Sequence, residues 1–232
     1  MRSKLLMKAK EQIINKYYKD MTDKKIIILA LILAILLVGG GWYYSKKSPG
    51  GSLISPTSSF NPRTITQDGI LIGDSNAKVT IEEYTNFVCP ACGRFAAGAF
   101  VNIMDDYIKT SKVKMIIYVF PPYELGRAAL CSQEQNKFME FHDYIFAHQT
   151  QITKESDIRD LTINAGLDIK KYDACYNSDK YADIVNKWNS EGTARGVDAT
   201  PTFFINGQKL IGAQPYGDFK KIIDEKLSQI NQ

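Results

Sequence analysis

The sequence predicts an α/β domain with an inserted helical block, preceded by one transmembrane helix. Three observations support this fold class. Strand-like, helix-like and strand-like runs follow one another between residues 78 and 120. A long stretch over about residues 124–195 then lacks strand signals and has helical character. A short strand, a hairpin signal and an amphipathic helix complete the chain.

The N-terminal part divides into three segments by composition. Residues 1–25 are a basic tail with eight Lys or Arg and three acidic residues, a net charge of +5 that leaves −1 for the remainder. This distribution gives no support to nucleic-acid binding by the folded domain. Residues 45–62 are rich in Ser, Pro and Gly and predict a flexible linker.

Residues 26–44 carry no charge and predict a membrane anchor. The run from Ile26 to Val38 is wholly apolar, and Trp42 to Tyr44 suit the aromatic belt of a membrane interface. Since the flanking positive charge is heavier before the run, we expect the N-terminus inside and the following domain outside the cytoplasm. A cleaved signal peptide is the alternative, but the long basic stretch and the lack of an Ala-x-Ala-like site favour an anchor.

The folded domain is expected over residues 63–232. Its first half predicts a strand, a helix and a second strand, which suggest a right-handed parallel unit. Pro121-Pro122 stops the second strand. The three elements are predicted at Lys78 to Asn86, Pro90 to Lys109 and Lys112 to Phe120, and Gly93 and Gly98 weaken the helix.

Within the helical block, Gly166 is expected to separate two helices, and Ser178 or Asp179 to cap the helix that runs to Trp188. Apolar side chains recur there at helical spacing and predict a buried face: Phe138, Phe141, Ile145 and Phe146.

Asn206-Gly207 predicts a tight hairpin between strands at Thr202 to Ile205 and Lys209 to Ile211. A helix follows at Asp218 to Ile230. The complete order of strand, helix, strand, helical block, hairpin and helix is that of a thioredoxin fold with an inserted helical subdomain.

Cys89-Pro90-Ala91-Cys92 lies where the first strand gives way to the helix. A Cys-x-x-Cys pair at such a junction can cycle between dithiol and disulfide. Unpaired backbone N–H groups and the helix dipole would stabilise a thiolate at Cys89. Pro90 suits the first helical turn, because its missing N–H would be unpaired there anyway. The motif predicts thiol–disulfide exchange, with Cys89 as nucleophile and Cys92 as resolving thiol.

Zinc binding is the alternative for this motif, since Cys-Pro-x-Cys-Gly is also the form of a zinc-ribbon knuckle. A ribbon needs a second ligand pair at short separation. Cys131 and Cys175 each lie about 40 residues from the nearest other cysteine. His142 and His148 are expected on a helix face rather than as ligands. We therefore expect no metal and no cofactor beyond the redox-active disulfide.

Three motifs, at this spacing, resemble the DsbA-type thiol–disulfide oxidoreductases, and most closely their membrane-anchored branch. They are Gly73 to Tyr84, Cys89 to Cys92, and Gly196 to Gly207. The resemblance covers roughly residues 65–230. It implies an extracytoplasmic enzyme that donates its disulfide to reduced secreted or surface proteins. It also implies reoxidation by a membrane oxidase of the DsbB or vitamin K epoxide reductase-like kind.

The resemblance also implies roles for residues around the cysteines. Thr200-Pro201 is expected to form a cis peptide bond that faces them, with Thr200 in contact and the loop pairing with an extended substrate. A plain trans turn is the alternative. Ala91 supplies neither charge nor donor where a His would further stabilise the thiolate.

Glu83 matches an acid that family members place six residues before the first cysteine, beneath the second sulfur. Alternation puts Glu83 on an inward face, where a buried carboxylate stays protonated or finds a partner. It could then carry the proton for Cys92. The alternative is an edge position exposed to water.

Cys131 and Cys175 are expected to form a structural disulfide, because an extracytoplasmic location would keep them oxidised. Two buried free thiols, or a shuttle that passes disulfides to the Cys89–Cys92 pair, are the alternatives.

Two further functions compete with a disulfide donor. One is a reductase or isomerase, although residues 45–62 are too short for the dimerisation module that an isomerase needs, so a monomer is expected. The other is a non-catalytic module that holds extended peptides, which the intact cysteine pair disfavours.

Overall fold

The computed structural model describes residues 65–66 and 69–230. The predicted basic tail, anchor and linker lie outside these residues. No helix among the described residues combines the length and apolar character that a membrane span requires.

Six strands lie within the described residues. They are β1 (Ile65–Thr66), β2 (Gly69–Ile72), β3 (Val79–Thr85), β4 (Val113–Val119), β5 (Thr202–Ile205) and β6 (Gln208–Ile211). They form one sheet in the order β1-β2-β4-β3-β5-β6. β3 and β4 are parallel, and every other neighbouring pair is antiparallel.

Between residues 69 and 230, eight α-helices accompany the sheet. They are α1 (Pro90–Ala97), α2 (Ala99–Ile103), α3 (Tyr123–Glu134), α4 (Phe138–Ala147), α5 (Glu155–Asn164), α6 (Ile169–Tyr176), α7 (Ala182–Ala194) and α8 (Tyr216–Ile230). A π-helical turn spans Met104–Ile108, and a 3-10 turn spans Gln149–Gln151. The five helices α3 to α7 form the insertion between β4 and β5, so a thioredoxin fold with a helical insertion is confirmed.

The single helix predicted from Pro90 to Lys109 is wrong, because the chain breaks at Gly98. Its φ of −123° and ψ of −99° are outside the helical region, and they separate α1 from α2. Arg94 O lies only 3.0 Å from where a Cβ at Gly98 would stand, so the break favours a residue without a side chain.

The predicted cap of the last inserted helix is also wrong. α7 begins after Tyr181, and both proposed caps bind elsewhere. The Ser178 hydroxyl donates to Cys175 O, and the Asp179 carboxylate forms an ion pair with Arg127. Gly166, in contrast, separates α5 from α6 as predicted, with a φ of +84° that favours glycine.

Aromatic side chains attach the first helix to the sheet. Phe95 of α1 lies 4.5 Å from Phe203 of β5 and 5.3 Å from Phe219 of α8, measured between ring centroids. On the opposite face, Trp188 of α7 meets the edge of Tyr118 of β4 at 5.9 Å. Burying such rings stabilises a core strongly. The packing of Phe95 therefore holds α1 against the sheet, with its first residues just after the end of β3.

Candidate active site

Cys89 is the residue immediately before α1, and Pro90 occupies the first helical position, as the sequence predicts. Burial raises the pKa of the Cys89 thiol, but hydrogen bonds from the backbone N–H of Cys92, from the Thr200 side chain and from the backbone N–H of Ala91 together outweigh it. The net pKa is below that of an ordinary cysteine. The sulfur is partly exposed and lies 3.3 Å from Thr200 O. Cys89 can therefore reach a partner as a thiolate at lower pH than a free thiol can.

Cys92 lies one turn into α1 and is fully buried. Burial raises its pKa to about 12, the nearby Glu83 carboxyl adds to the rise, and the Asn86 backbone N–H opposes it. That N–H lies 3.4 Å from the Cys92 sulfur. The two cysteines therefore differ sharply, with one accessible sulfur that ionises easily and one enclosed sulfur that keeps its proton.

Glu83 of β3 pairs in register with Phe203 of β5, so it lies on the sheet face that carries α1. Its side chain is 1% exposed, and neither carboxyl oxygen has a hydrogen-bond partner among the described residues. Burial raises its pKa to about 8, an effect that the Thr85 side chain partly offsets. The expected inward position is confirmed, and the raised pKa favours the protonated form of the carboxyl at neutral pH.

The Thr200-Pro201 peptide bond is cis and lies opposite the first cysteine. The turn is held from both sides, since the Thr202 hydroxyl donates to Ala199 O at 2.6 Å and Gly212 N–H donates to Pro201 O at 2.7 Å. Thr200 touches Cys89 through its carbonyl oxygen. A second cis bond, Pro121-Pro122, follows β4 and was not expected from the sequence.

Two site residues of the loop between β3 and α1 were not predicted from the sequence. Asn86 makes four hydrogen bonds within the site. Phe87 is fully buried, and its ring lies 5.4 Å from Phe141 and 4.8 Å from Phe146 of α4. Their position could have identified both residues, because they lie in the short loop that connects β3 to the Cys-x-x-Cys helix.

Two cavities flank the motif. One, of about 430 Å³, opens beside Val88 and has Pro122 and Ile152 among its apolar walls. The other, of about 410 Å³, lies between the α1–α2 segment and α4, with Gly93 and Met139 in its lining. The first has the residue before Cys89 in its lining, whereas the second has the residue after Cys92.

Cys131 of α3 and Cys175 of α6 are joined by a disulfide with a Cα–Cα distance of 5.7 Å. They are therefore not available as a second ligand pair for zinc. His142 lies on the buried face of α4, and its ring lies 5.0 Å from that of Phe100. His148 bonds Tyr144 O through Nδ1 at 2.8 Å.

Comparison with known proteins agrees with this geometry. A model of the thioredoxin family matches residues 65–225. A relative from Rickettsia prowazekii, provisionally named a protein-disulfide oxidoreductase, is 28% identical over 62% of this chain and 56% of its own length. A Bacillus anthracis relative, provisionally named disulfide bond formation protein D, is 25% identical over 68% of this chain and 78% of its own length. The matches cover 56–62% of the four Rickettsia relatives.

Solved structures show the same fold. The crystal structure of Wolbachia pipientis alpha-DsbA1 has a TM-score of 0.64 at 23% identity, covering 75% of this chain and 97% of that one. Oxidised BdbD from Bacillus subtilis has a TM-score of 0.59 at 22% identity, covering 72% of this chain and 96% of that one. The chain therefore belongs to the thioredoxin family, and its inserted helical block gives it the architecture of the DsbA type.

Proposed function

We propose that this chain is a thiol–disulfide oxidoreductase that donates the Cys89–Cys92 disulfide to reduced secreted or surface proteins. The proposal rests on the difference in accessibility and in pKa between the two cysteine sulfurs. Cys89 is accessible and has a lowered pKa, whereas Cys92 is enclosed and has a raised pKa. A substrate thiolate can therefore reach only Cys89, which gives the exchange its direction of attack.

The reaction transfers two electrons in two exchanges. A substrate thiolate attacks the Cys89 sulfur, the disulfide breaks, and its electron pair passes to Cys92. Glu83 supplies the proton that the Cys92 thiolate takes up, and regains one from solvent. A second substrate thiolate then attacks the substrate sulfur of the mixed disulfide. Cys89 leaves as a thiolate, and the substrate leaves with a disulfide.

The loop at Thr200-Pro201 and the cavity beside Val88 are where an extended substrate segment would lie. The loop presents Thr200 O next to the Cys89 sulfur, 3.3 Å away. Backbone pairing at such a loop binds many sequences, which suits an enzyme with varied unfolded substrates. The apolar part of the cavity lining suits side chains that a folded protein would bury, and its charged part, with Glu124, Lys154 and Glu155, suits polar ones.

The site is expected to work outside the cytoplasm. The apolar segment of residues 26–44 would anchor the chain as a single pass with the N-terminus inside. A monomer on this tether would meet secreted proteins as they emerge. A membrane oxidase of the DsbB or vitamin K epoxide reductase-like kind would restore the disulfide.

The test is oxidation of a reduced, unfolded protein by the purified chain. Wild-type protein with the Cys89–Cys92 disulfide formed should oxidise it, and Cys89→Ser should not. Cys92→Ser, first joined to glutathione at Cys89 by oxidised glutathione, should release that glutathione to a substrate thiolate and remain as a mixed disulfide when the substrate has a single cysteine. A control is the double variant Cys131→Ser and Cys175→Ser, which loses the cysteines outside the motif and should still turn over. Oxidation by Cys89→Ser at the wild-type rate would overturn the proposal. Binding without oxidation by wild-type protein would indicate a peptide-holding module instead.

A further inference from the structure

Asn86 follows the last residue of β3 and uses all four of its hydrogen-bonding groups around the two cysteines. Its N–H donates to the Cys92 sulfur at 3.4 Å, and its C=O accepts from Cys89 N–H at 3.0 Å. The side-chain Oδ1 accepts from Val88 N–H at 2.8 Å, and Nδ2 donates to Pro121 O at 2.6 Å. One residue thus contacts both cysteines.

The side chain determines where the main-chain groups of Asn86 point. A bond from Oδ1 to an N–H two residues on is an Asx turn, which fixes the local backbone. The bond from Nδ2 ties this turn to Pro121, just beyond β4. Since β3 and β4 are neighbouring parallel strands, Asn86 is held between two rigid elements. Its N–H has little freedom to turn away from the Cys92 sulfur.

The chemistry at Cys92 needs such a donor. When the Cys89–Cys92 bond breaks, the electron pair goes to a sulfur that is fully buried. Negative charge there is costly without hydrogen bonds, and the neighbouring Glu83 is an acid rather than a cation. The Asn86 N–H acts against the effect of burial on the pKa of Cys92.

We propose that Asn86 is a positioning residue for thiol–disulfide exchange. Its side chain holds its own N–H on the Cys92 sulfur and its own C=O on Cys89 N–H, so that Cys92 can leave as a thiolate while Cys89 stays at the helix N-terminus. This inference rests on the proposed function only in taking the Cys89–Cys92 pair to be redox-active.

The experiment compares Asn86→Ala and Asn86→Asp with wild-type protein. Two quantities are measured: the equilibrium constant of the Cys89–Cys92 pair with glutathione, and the pH dependence of the rate at which reduced glutathione opens the disulfide. Asn102 provides matched controls, since its Nδ2 also donates to a backbone oxygen, Gly98 O, at 3.3 Å. Asn102→Ala and Asn102→Asp should leave both quantities within twofold of wild type.

Asn86→Ala keeps the N–H but loses the side chain that directs it, so it should disfavour the dithiol form about three- to tenfold and slow opening by a similar factor, the size of effect expected for one ordinary hydrogen bond. Asn86→Asp keeps the acceptor for Val88 N–H, loses the donor to Pro121 and brings a charge towards Cys92. It should have a larger effect at neutral pH, which becomes smaller as the new carboxyl is protonated.

A purely structural role gives a different result. In that case the Asn86 variants would melt at lower temperature, yet both redox quantities would match those of the Asn102 controls, and the inference would be overturned. If Asn86→Ala does not fold, Asn86→Asp, which has nearly the same volume, decides the question. Failure of the proposed function is seen separately, as wild-type protein that equilibrates with glutathione but oxidises no protein substrate.

Discussion

The free energy of unfolding of Glu83→Gln, relative to wild type, should increase as the pH rises. The folded chain holds the Glu83 proton with a pKa of about 8, against an ordinary value of 4.5. The folded state therefore binds this proton more tightly than the unfolded state does. The stability that this preference contributes is complete below pH 4.5 and is lost as the pH rises through 8.

The size of the effect follows from the two pKa values. One pKa unit corresponds to about 1.4 kcal/mol, so wild-type stability should fall by about 1.4 kcal/mol per pH unit between the two values. The complete loss is about 5 kcal/mol. Because a Gln at this position does not titrate, the free energy of unfolding of Glu83→Gln relative to wild type should rise by about 3 kcal/mol from pH 4.5 to pH 7.

The assay is urea unfolding of wild type and Glu83→Gln at several pH values from 4 to 9. Both proteins are kept in the Cys89–Cys92 disulfide form, so that neither thiol titrates. A buried amide without partners adds a constant cost, and the signal is therefore the slope with pH rather than the difference at one pH. Glu82→Gln is the matched control, because the neighbouring Glu82 carboxylate is partly exposed and forms an ion pair with Arg195.

A difference between wild type and Glu83→Gln that stays constant within about 0.5 kcal/mol from pH 4.5 to 8 would refute the argument. It would mean that Glu83 is ionised in the folded protein and that burial is compensated by water or by a cation. The proton supply to Cys92 would then need another source.

Three further predictions concern the thiols and the packing. Iodoacetamide should modify Cys89 of the reduced protein at neutral pH while the second thiol stays unmodified, and thiolate absorbance of the Cys92→Ser variant should titrate below the range of a free cysteine. Removing the Cys131–Cys175 disulfide, whose partners are 44 residues apart, should cost about 4 kcal/mol in urea unfolding. In the variant without that disulfide, the equilibrium constant of the Cys89–Cys92 pair with glutathione should stay within twofold of wild type. Gly192→Ala places a Cβ 2.6 Å from two aromatic rings and should cost about 1–3 kcal/mol, whereas Gly217→Ala, with open space around it, should cost nothing.

The sequence predicted those parts of the fold whose signals are local. Alternating apolar residues gave β3 to within a residue at each end, and Asn206-Gly207 gave the hairpin of β5 and β6. The strand β2 was missed although its Ile-Leu-Ile run lies between Gly69 and Gly73. It is only four residues long and joins the sheet through β4, more than 40 residues later in the chain, so a local pattern does not distinguish it from a loop.

Contacts between distant residues account for the other differences. Asp179 had the residue type of a helix cap, but Arg127 on α3 binds its carboxylate. His142 lies on a helix face as expected, and the rings that enclose it there come from α2 and from the loop before Cys89, which the spacing within α4 does not reveal. In the site itself, the motif identified Cys89 and Cys92. The role of Asn86 depends on Pro121, 35 residues away, which no spacing along the chain reveals.

The reduction potential of the Cys89–Cys92 pair, measured by equilibration with glutathione, tests the central claim most directly. A disulfide donor should have a potential near the strongly oxidising end of the known range, about −120 mV, because the reduced form gains from the Cys89 thiolate. A potential near about −270 mV, that of a reductant, would contradict the account and assign the chain to disulfide reduction.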